Sequence, residues 1–120
     1  MNANRFQVRV VSGAPRDSHA WLAAGRVRLA ARRWEGMRRG ARAVVALAPE
    51  DVLLCESHPG RVSARNVLPG HVRRVRRMPG GASVDLDVGL RLTALVTRAA
   101  GRELGLRKGT RSYAVVKAVG

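Results

Sequence analysis

Aromatic residues are scarce in this chain of 120 residues: two Trp, one Tyr and one Phe make up 3% of the sequence. Because hydrophobic residues still account for 46%, the core must be built mainly from Val, Leu and Ala. A chain of this length forms one domain or two very small ones, and small side chains bury modest area per residue. We therefore expect an oligomer, which would bury additional surface.

Cysteine clusters and long apolar runs are also missing. Cys55 is the only cysteine, so neither an intramolecular disulfide nor a cysteine-based metal cluster can form. No apolar stretch has the length of a signal peptide or of a membrane-spanning helix, so we predict a cytoplasmic protein without membrane insertion.

Asp85 and Asp87 share one face of a strand, where we expect them to pair with arginines rather than bind a metal. We predict that the protein is not an enzyme.

Acidic residues are few, and the net charge is +15 because 23 Lys and Arg residues oppose 8 Asp and Glu residues. This charge is typical of proteins that bind nucleic acid or a smaller anion. The densest basic cluster, Arg73-Arg74-x-Arg76-Arg77, would either follow a phosphate backbone or form a solvated strand face. Sites for single-stranded nucleic acid use stacking aromatics, and the second half of the chain offers only Tyr113. We therefore favour a small anion over nucleic acid.

Polar and apolar residues alternate over several short segments, as in half-buried strands. These segments are residues 7–10, 26–29, 83–88 and 91–92, and a further apolar strand ends before Lys117. Turns containing glycine are predicted at residues 13–15, 34–36, 58–60 and 79–81. One short helix is predicted within residues 97–106, ending at Gly105. The pattern indicates a mainly β fold built as a small barrel or sandwich.

The two halves of the chain show a weak internal repeat. Residues 4–10 align with residues 66–72, since each segment begins with Asn and carries Val six positions later. Residues 39–44 align with residues 108–113, so the offset grows from 62 to 69 across the predicted helix. The alternative is chance similarity between short strands. We predict two half-domains, residues 1–60 and residues 61–120, with the helix in the second.

The stretch Ser63-Ala64-Arg65-Asn66 places a hydroxyl, a guanidinium and an amide close together in the sequence. Lys117 adds an ammonium group after an apolar strand near the end of the chain. These groups suit a small tetrahedral anion, because charge-assisted hydrogen bonds compensate for the loss of its hydration. The alternatives are ordinary surface roles for Ser63, Arg65 and Lys117. For Asn66, the alternative is a side chain that braces a turn.

The second half resembles the molybdate-binding Mop domain, also called TOBE, over residues 63–119. Five blocks carry the resemblance in the family's order: residues 63–70, 84–89, 92–97, 103–106 and 113–118. The first half is similar, in residues 4–6, 27–29, 40–42 and 47–54, to the region that precedes this domain in the ATP-binding subunits of molybdate ABC transporters. The resemblance implies OB-like β-barrels. The ATPase itself is missing, since the chain has no phosphate-binding loop.

The resemblance also implies a ligand, molybdate or tungstate, bound between subunits of a homo-oligomer without any cofactor. The family holds the anion with the Ser and Arg of the Ser-x-Arg-Asn stretch and with the Lys near the last strand. Here these are Ser63, Arg65 and Lys117, with further contacts from Ala64, Asn66 and Ala118. No Ser-x-Arg precedes Asn4, so we expect no second full site. The implied role is molybdate homeostasis or regulation of a molybdate transporter ATPase; the alternative is a nucleic-acid-binding OB-fold module.

Overall fold

The structure, a computed structural model, describes residues 4–12 and 19–120. The described elements in chain order are β1 Asn4–Ser12, β2 Ala20–Ala24, β3 Val27–Ala31, β4 Arg42–Leu47, a 3-10 turn Pro49–Asp51, β5 Leu53–Cys55, β6 Asn66–Met78, β7 Gly81–Asp87, β8 Arg91–Thr97, α1 Arg98–Glu103 and β9 Arg111–Val116. The prediction of a mainly β chain with one short helix is confirmed. The turn predicted at residues 13–15 lies outside the described residues.

The strands form two antiparallel sheets that have the same internal order. The first sheet runs β3-β2-β1-β4 and the second runs β8-β7-β6-β9, with β5 added beyond β9. The central strand of each sheet carries an irregularity after an inward valine, Val10 in β1 and Val72 in β6. These two valines are separated by the same offset as the sequence repeat. A duplicated unit would produce this correspondence, whereas the division of the chain at residue 60 stays a prediction.

Each half also contributes chain to the sheet of the other half. The short strand β5 pairs antiparallel with β9, so that Leu53 lies opposite Val115. Near the end of the chain, Val119 forms a parallel bridge with Ala31 of β3. The Val119 N–H donates to the Ala30 carbonyl at 3.1 Å, and the Arg32 N–H donates to the Val119 carbonyl at 2.6 Å. The two sheets are therefore tied together by backbone hydrogen bonds as well as by packing.

A continuous core of small aliphatic side chains lies between the sheets. Among the described residues, every buried hydrophobic side chain is Val, Leu or Ala, as the scarcity of aromatics predicted. Both sheets contribute to one cluster, because alternate residues of each strand point inward. The largest fully buried side chains are Leu22, Leu86, Val10, Val52, Val72 and Val84.

Two buried asparagines connect the halves through equivalent hydrogen bonds. Asn4, at the start of β1, donates its amide to the Thr93 carbonyl at 2.9 Å and accepts from the Thr93 N–H at 2.7 Å. Asn66, at the start of β6, makes the same pair of bonds with Ala30, at 3.0 and 2.7 Å. Each asparagine thus bonds both backbone groups of one residue in the opposite half, which helps to satisfy polar groups that are costly to bury unpaired.

The helix α1 spans only six residues and is held by its two ends. The Thr97 hydroxyl accepts a hydrogen bond from the Ala100 N–H at 3.1 Å, which caps the first turn. At the other end, Gly105 adopts a φ of 60°, and the Leu106 N–H donates to the Gly101 carbonyl at 3.0 Å. This Schellman-type end confirms the predicted stop at Gly105. In the described part of the chain, no helix is long and apolar enough to cross a membrane.

Replacing Asn66 with Ala should destabilise the whole protein. The substitution leaves the buried Ala30 N–H unpaired, at a cost of about 1–3 kcal/mol, whereas the Ala30 carbonyl keeps its bond from the Val119 N–H. We expect urea denaturation to show a loss of about 1–3 kcal/mol in the free energy of unfolding. The control is Gln7→Ala, which removes an exposed amide from β1 and should change stability by less than about 0.5 kcal/mol. Equal effects of the two substitutions would contradict the role of Asn66.

Two glycine substitutions should act in opposite directions. A Cβ on Gly70 would lie 2.2 Å from the Asp87 carbonyl oxygen and 2.7 Å from a methyl group of Val88, so Gly70→Ala should cost about 1–3 kcal/mol. A Cβ on Gly101 in α1 would meet nothing closer than 3.9 Å, so Gly101→Ala should stabilise by about 0.5–1 kcal/mol. Thermal unfolding of both variants tests the close approach of β6 to the end of β7. A Gly70→Ala variant as stable as the parent protein would exclude it.

Candidate oxyanion site

Antiparallel pairing of β6 and β9 brings the Ser63-Ala64-Arg65-Asn66 stretch close to Lys117. In the register of these strands Asn66 lies opposite Val116, so the chain entering β6 and the chain leaving β9 meet at one end of the sheet. The Asn66 amide donates to the Lys117 carbonyl at 3.3 Å. The fold thus brings two segments together that are 51 positions apart in sequence.

Ser63 and Arg65 lie in the irregular segment before β6, and both are exposed. The Arg65 side chain folds back onto this segment: its Nε donates to the Ser63 carbonyl at 3.2 Å, and its Nη2 donates to the Val62 carbonyl. These bonds use two of the five guanidinium N–H donors, so the others remain for an anion. Because the guanidinium is already held against the backbone, less conformational entropy is lost when it binds a ligand.

An open depression of about 600 Å³ lies against the same segment. Its lining comes from residues 60–65 and Val67, which is one continuous piece of chain. Ala64 is half-buried in this wall, whereas Lys117 is exposed nearby and does not line the depression. An anion in the depression would therefore receive hydrogen bonds from one side only. Complete coordination requires donors from outside this segment.

Asn66 differs from the other candidates because its side chain is only 2% exposed. Its amide nitrogen donates to the carbonyls of Ala30 and Lys117, and its oxygen accepts from the Ala30 N–H. Both amide N–H groups are therefore engaged within the chain, and Asn66 braces β3 and the end of β9 rather than a turn. The half-buried Ala118 follows, between Lys117 and the bridge that Val119 makes with β3. Anion contacts from Asn66 and Ala118 stay a prediction.

The charge around the depression is positive. Its lining contains Arg61 and Arg65 and no carboxylate. Asp85 and Asp87 instead form ion pairs with arginines of β6, each at 3.9 Å, which confirms the interpretation of these acids from the sequence. No ion pair within the described part of the chain neutralises Arg65 or Lys117, so both charges remain available to a ligand.

The corresponding place in the first half lacks these groups. With the offset of 69, Ala48 takes the position of Lys117, and the residues before Asn4 contain neither Ser nor Arg. Asn4 nonetheless bonds both backbone groups of one residue in the other half, as Asn66 does, and donates to the Leu47 carbonyl at 3.1 Å. The first half therefore shares the structural asparagine of the second half but not its hydroxyl and its two charges.

Comparison with known proteins places these features in a family. The TOBE domain family model matches residues 62–119, which include Ser63, Arg65 and Lys117. A crystal structure of the cytoplasmic molybdate-binding protein ModG, with molybdate bound, matches with a TM-score of 0.82 and 31% sequence identity. The match covers 96% of this chain and 90% of that chain. No curated protein sequence shows significant similarity.

The match to ModG extends over both halves of the chain and confirms the predicted OB-like, mainly β fold class. The family model covers the second half, which carries the Ser-x-Arg-Asn stretch. Taken together, the two matches show that this chain belongs to the TOBE family, the molybdate-binding domains also called Mop.

Proposed function

We propose that this protein binds molybdate or tungstate in the cytoplasm and catalyses no reaction. The observation that carries this proposal is the meeting of the Ser63–Arg65 segment with Lys117 at one end of the second sheet. The likeness to ModG supports both the ligand and the compartment, since ModG is a cytoplasmic protein crystallised with molybdate. Recognition of the anion needs no covalent step and no cofactor.

The three side chains supply complementary interactions for a tetrahedral dianion. The Ser63 hydroxyl donates one hydrogen bond, the Arg65 guanidinium offers a planar fork to two oxygens, and Lys117 adds a compact charge. Each charge-assisted hydrogen bond contributes about 1.5–3 kcal/mol, and several are needed to offset the lost hydration. Ala64, Asn66 and Ala118 would add backbone contacts and hold these groups in place.

We further propose that a second subunit completes the site. The depression beside Arg65 is walled by one segment only, so a bound anion would leave oxygens facing outward. A homo-oligomer could supply the missing donors from the Lys117 region of another copy. Asn66 would then link the anion to the rest of the fold, because it bonds the Lys117 carbonyl and both backbone groups of Ala30.

The biological role we favour is intracellular storage and homeostasis of molybdate. The ModG match supports this role because ModG is itself a molybdate-binding protein and is covered almost completely. A regulatory role for a molybdate transporter ATPase is the second proposal, and it requires an ATPase that this sequence does not contain. The nucleic-acid-binding module remains the alternative. It receives less support, since no aromatic side chain lines the depression.

The two lysines of the chain allow a matched test of the site. Lys117→Met should weaken molybdate binding by about tenfold to a hundredfold, because it removes one charge-assisted hydrogen bond. Lys108→Met removes the same charge elsewhere and should change the affinity by less than about twofold. Isothermal titration calorimetry with molybdate, tungstate and sulfate measures both effects. Equal losses of molybdate affinity in the two variants, or sulfate binding as tight as molybdate binding, would contradict the proposed site.

A mixing experiment tests whether the site lies between subunits. At a molybdate concentration close to the Kd of the parent protein, Arg65→Gln and Lys117→Met should each remove most binding, while random co-assembly of the two variants should restore about one quarter of the parent level. The restored sites would combine an intact loop from one copy with an intact lysine from another. The measurement is the number of molybdate ions bound per chain after the mixed chains are unfolded and refolded together. A mixture that binds no more than its components would place the whole site within one chain.

A further inference from the structure

A second positively charged depression lies at the other end of β6. Its volume is about 730 Å³, and its walls are the hairpin of β6 and β7, the helix α1 and the loop that follows α1. Arg77, Arg98, Arg102, Arg107 and Lys108 line it, and all five are exposed. Arg77 lies eleven positions after Asn66 in β6, roughly 35 Å along the strand, so this depression is distinct from the proposed oxyanion site.

Seven cations line this depression: Arg73 and Arg74, which pair with Asp87 and Asp85, and the five cations of the rim, which form no ion pair with the described residues. No carboxylate belongs to its lining. The ion pairs of the described residues involve Arg73, Arg74 and Arg76, whereas none involves the five cations of the rim. Five like charges around one concavity repel one another, and a bound anion would relieve that repulsion. For the basic cluster of β6, one of the two predicted interpretations was a solvated strand face. Arg74 and Arg76 fit it because they pair with Asp85, whereas Arg77 forms no such ion pair with the described residues.

The floor of the depression is apolar. Val75, Val96 and Leu106 line it, and each is partly buried against the core. Gly101 and Gly105 carry no side chain there, which leaves the space between α1 and the hairpin open. A concave site of this size, with an apolar floor and convergent charged groups, has the dimensions of a small-molecule pocket. Arginine forks on the rim match phosphate oxygens in geometry.

We infer that this depression, which we call the arginine pocket, binds a small organic polyphosphate. Its phosphate groups would contact the arginines of the rim, and its apolar body would cover the floor formed by Val75, Val96 and Leu106. The absence of aromatic side chains from the lining argues against a path for single-stranded nucleic acid, which relies on base stacking. This inference goes beyond molybdate binding and does not depend on it.

ATP without added metal, inorganic tripolyphosphate and adenosine are the probes for calorimetric titration at physiological salt. We expect one ATP per chain, with tripolyphosphate binding at least about fivefold more weakly because it has no apolar body to cover the floor. Adenosine alone should not bind detectably. Tripolyphosphate that binds as tightly as ATP would overturn the assignment of an organic ligand.

Charge-matched variants separate the arginine pocket from the general positive charge of the protein. The double substitution Arg98→Gln and Arg102→Gln should weaken ATP binding at least about tenfold. The control, Arg28→Gln with Arg39→Gln, removes two exposed arginines outside the pocket and should weaken it less than about twofold. Equal losses in the two double variants would show binding by diffuse charge and overturn the proposal.

Two further measurements show whether a loss of ATP binding comes from the pocket itself rather than from misfolding or from the oxyanion site. If the Arg98 and Arg102 variant has a lowered melting temperature, Arg107→Gln with Lys108→Gln in the adjacent loop should give the same loss of ATP affinity. Molybdate affinity should stay within about twofold in the variants of the pocket, since their residues lie far from Arg65. A DNA duplex that displaces ATP at a lower concentration than tripolyphosphate does would indicate a nucleic-acid surface instead and overturn the inference.

Discussion

A buried amide that must satisfy both of its hydrogen-bonding edges is the interaction on which this fold depends. Among the described residues the buried hydrophobic side chains are all Val, Leu or Ala, and Asn4 and Asn66 provide directional contacts between the halves. Asn66 has the additional bond to the Lys117 carbonyl. The same side chain that joins the halves therefore also sets the distance between the Arg65 segment and the end of β9.

Alternation along the sequence was sufficient to predict the strands that have one face in the core and one in solvent, such as β1 and β7. It did not reveal β2, because Ala20–Ala24 contains no polar side chain to mark an outer face. It also missed β5, a strand of three residues that is defined by the free edge of β9 rather than by a pattern of its own. Pairing with other strands, not local preference, determines these two segments: β2 pairs with its neighbours β1 and β3, and β5 pairs with the distant β9.

The residues of the candidate site stay a prediction, whereas their arrangement is seen only in the structure. The resemblance supplied Ser63, Arg65 and Lys117, and only the register of β6 with β9 shows why they lie at one end of the sheet. A bracing role for Asn66 was one of the alternatives, but its partner Ala30 could not be predicted, because Ala30 contributes backbone atoms that any residue would offer. The one signal in the sequence was the asparagine repeated at Asn4, which makes the equivalent contacts in the other half.

The placement of β5 has a consequence for truncated forms of this protein. The piece of chain that covers the edge of β9 is encoded before the segment that forms the rest of that sheet. A fragment beginning at Arg61 would therefore expose the backbone N–H and C=O groups of β9 along one open side. Those groups would then pair with an exposed strand edge of another molecule, which leads to edge-to-edge association. In the intact chain β5 supplies this pairing internally and keeps the edge of β9 closed.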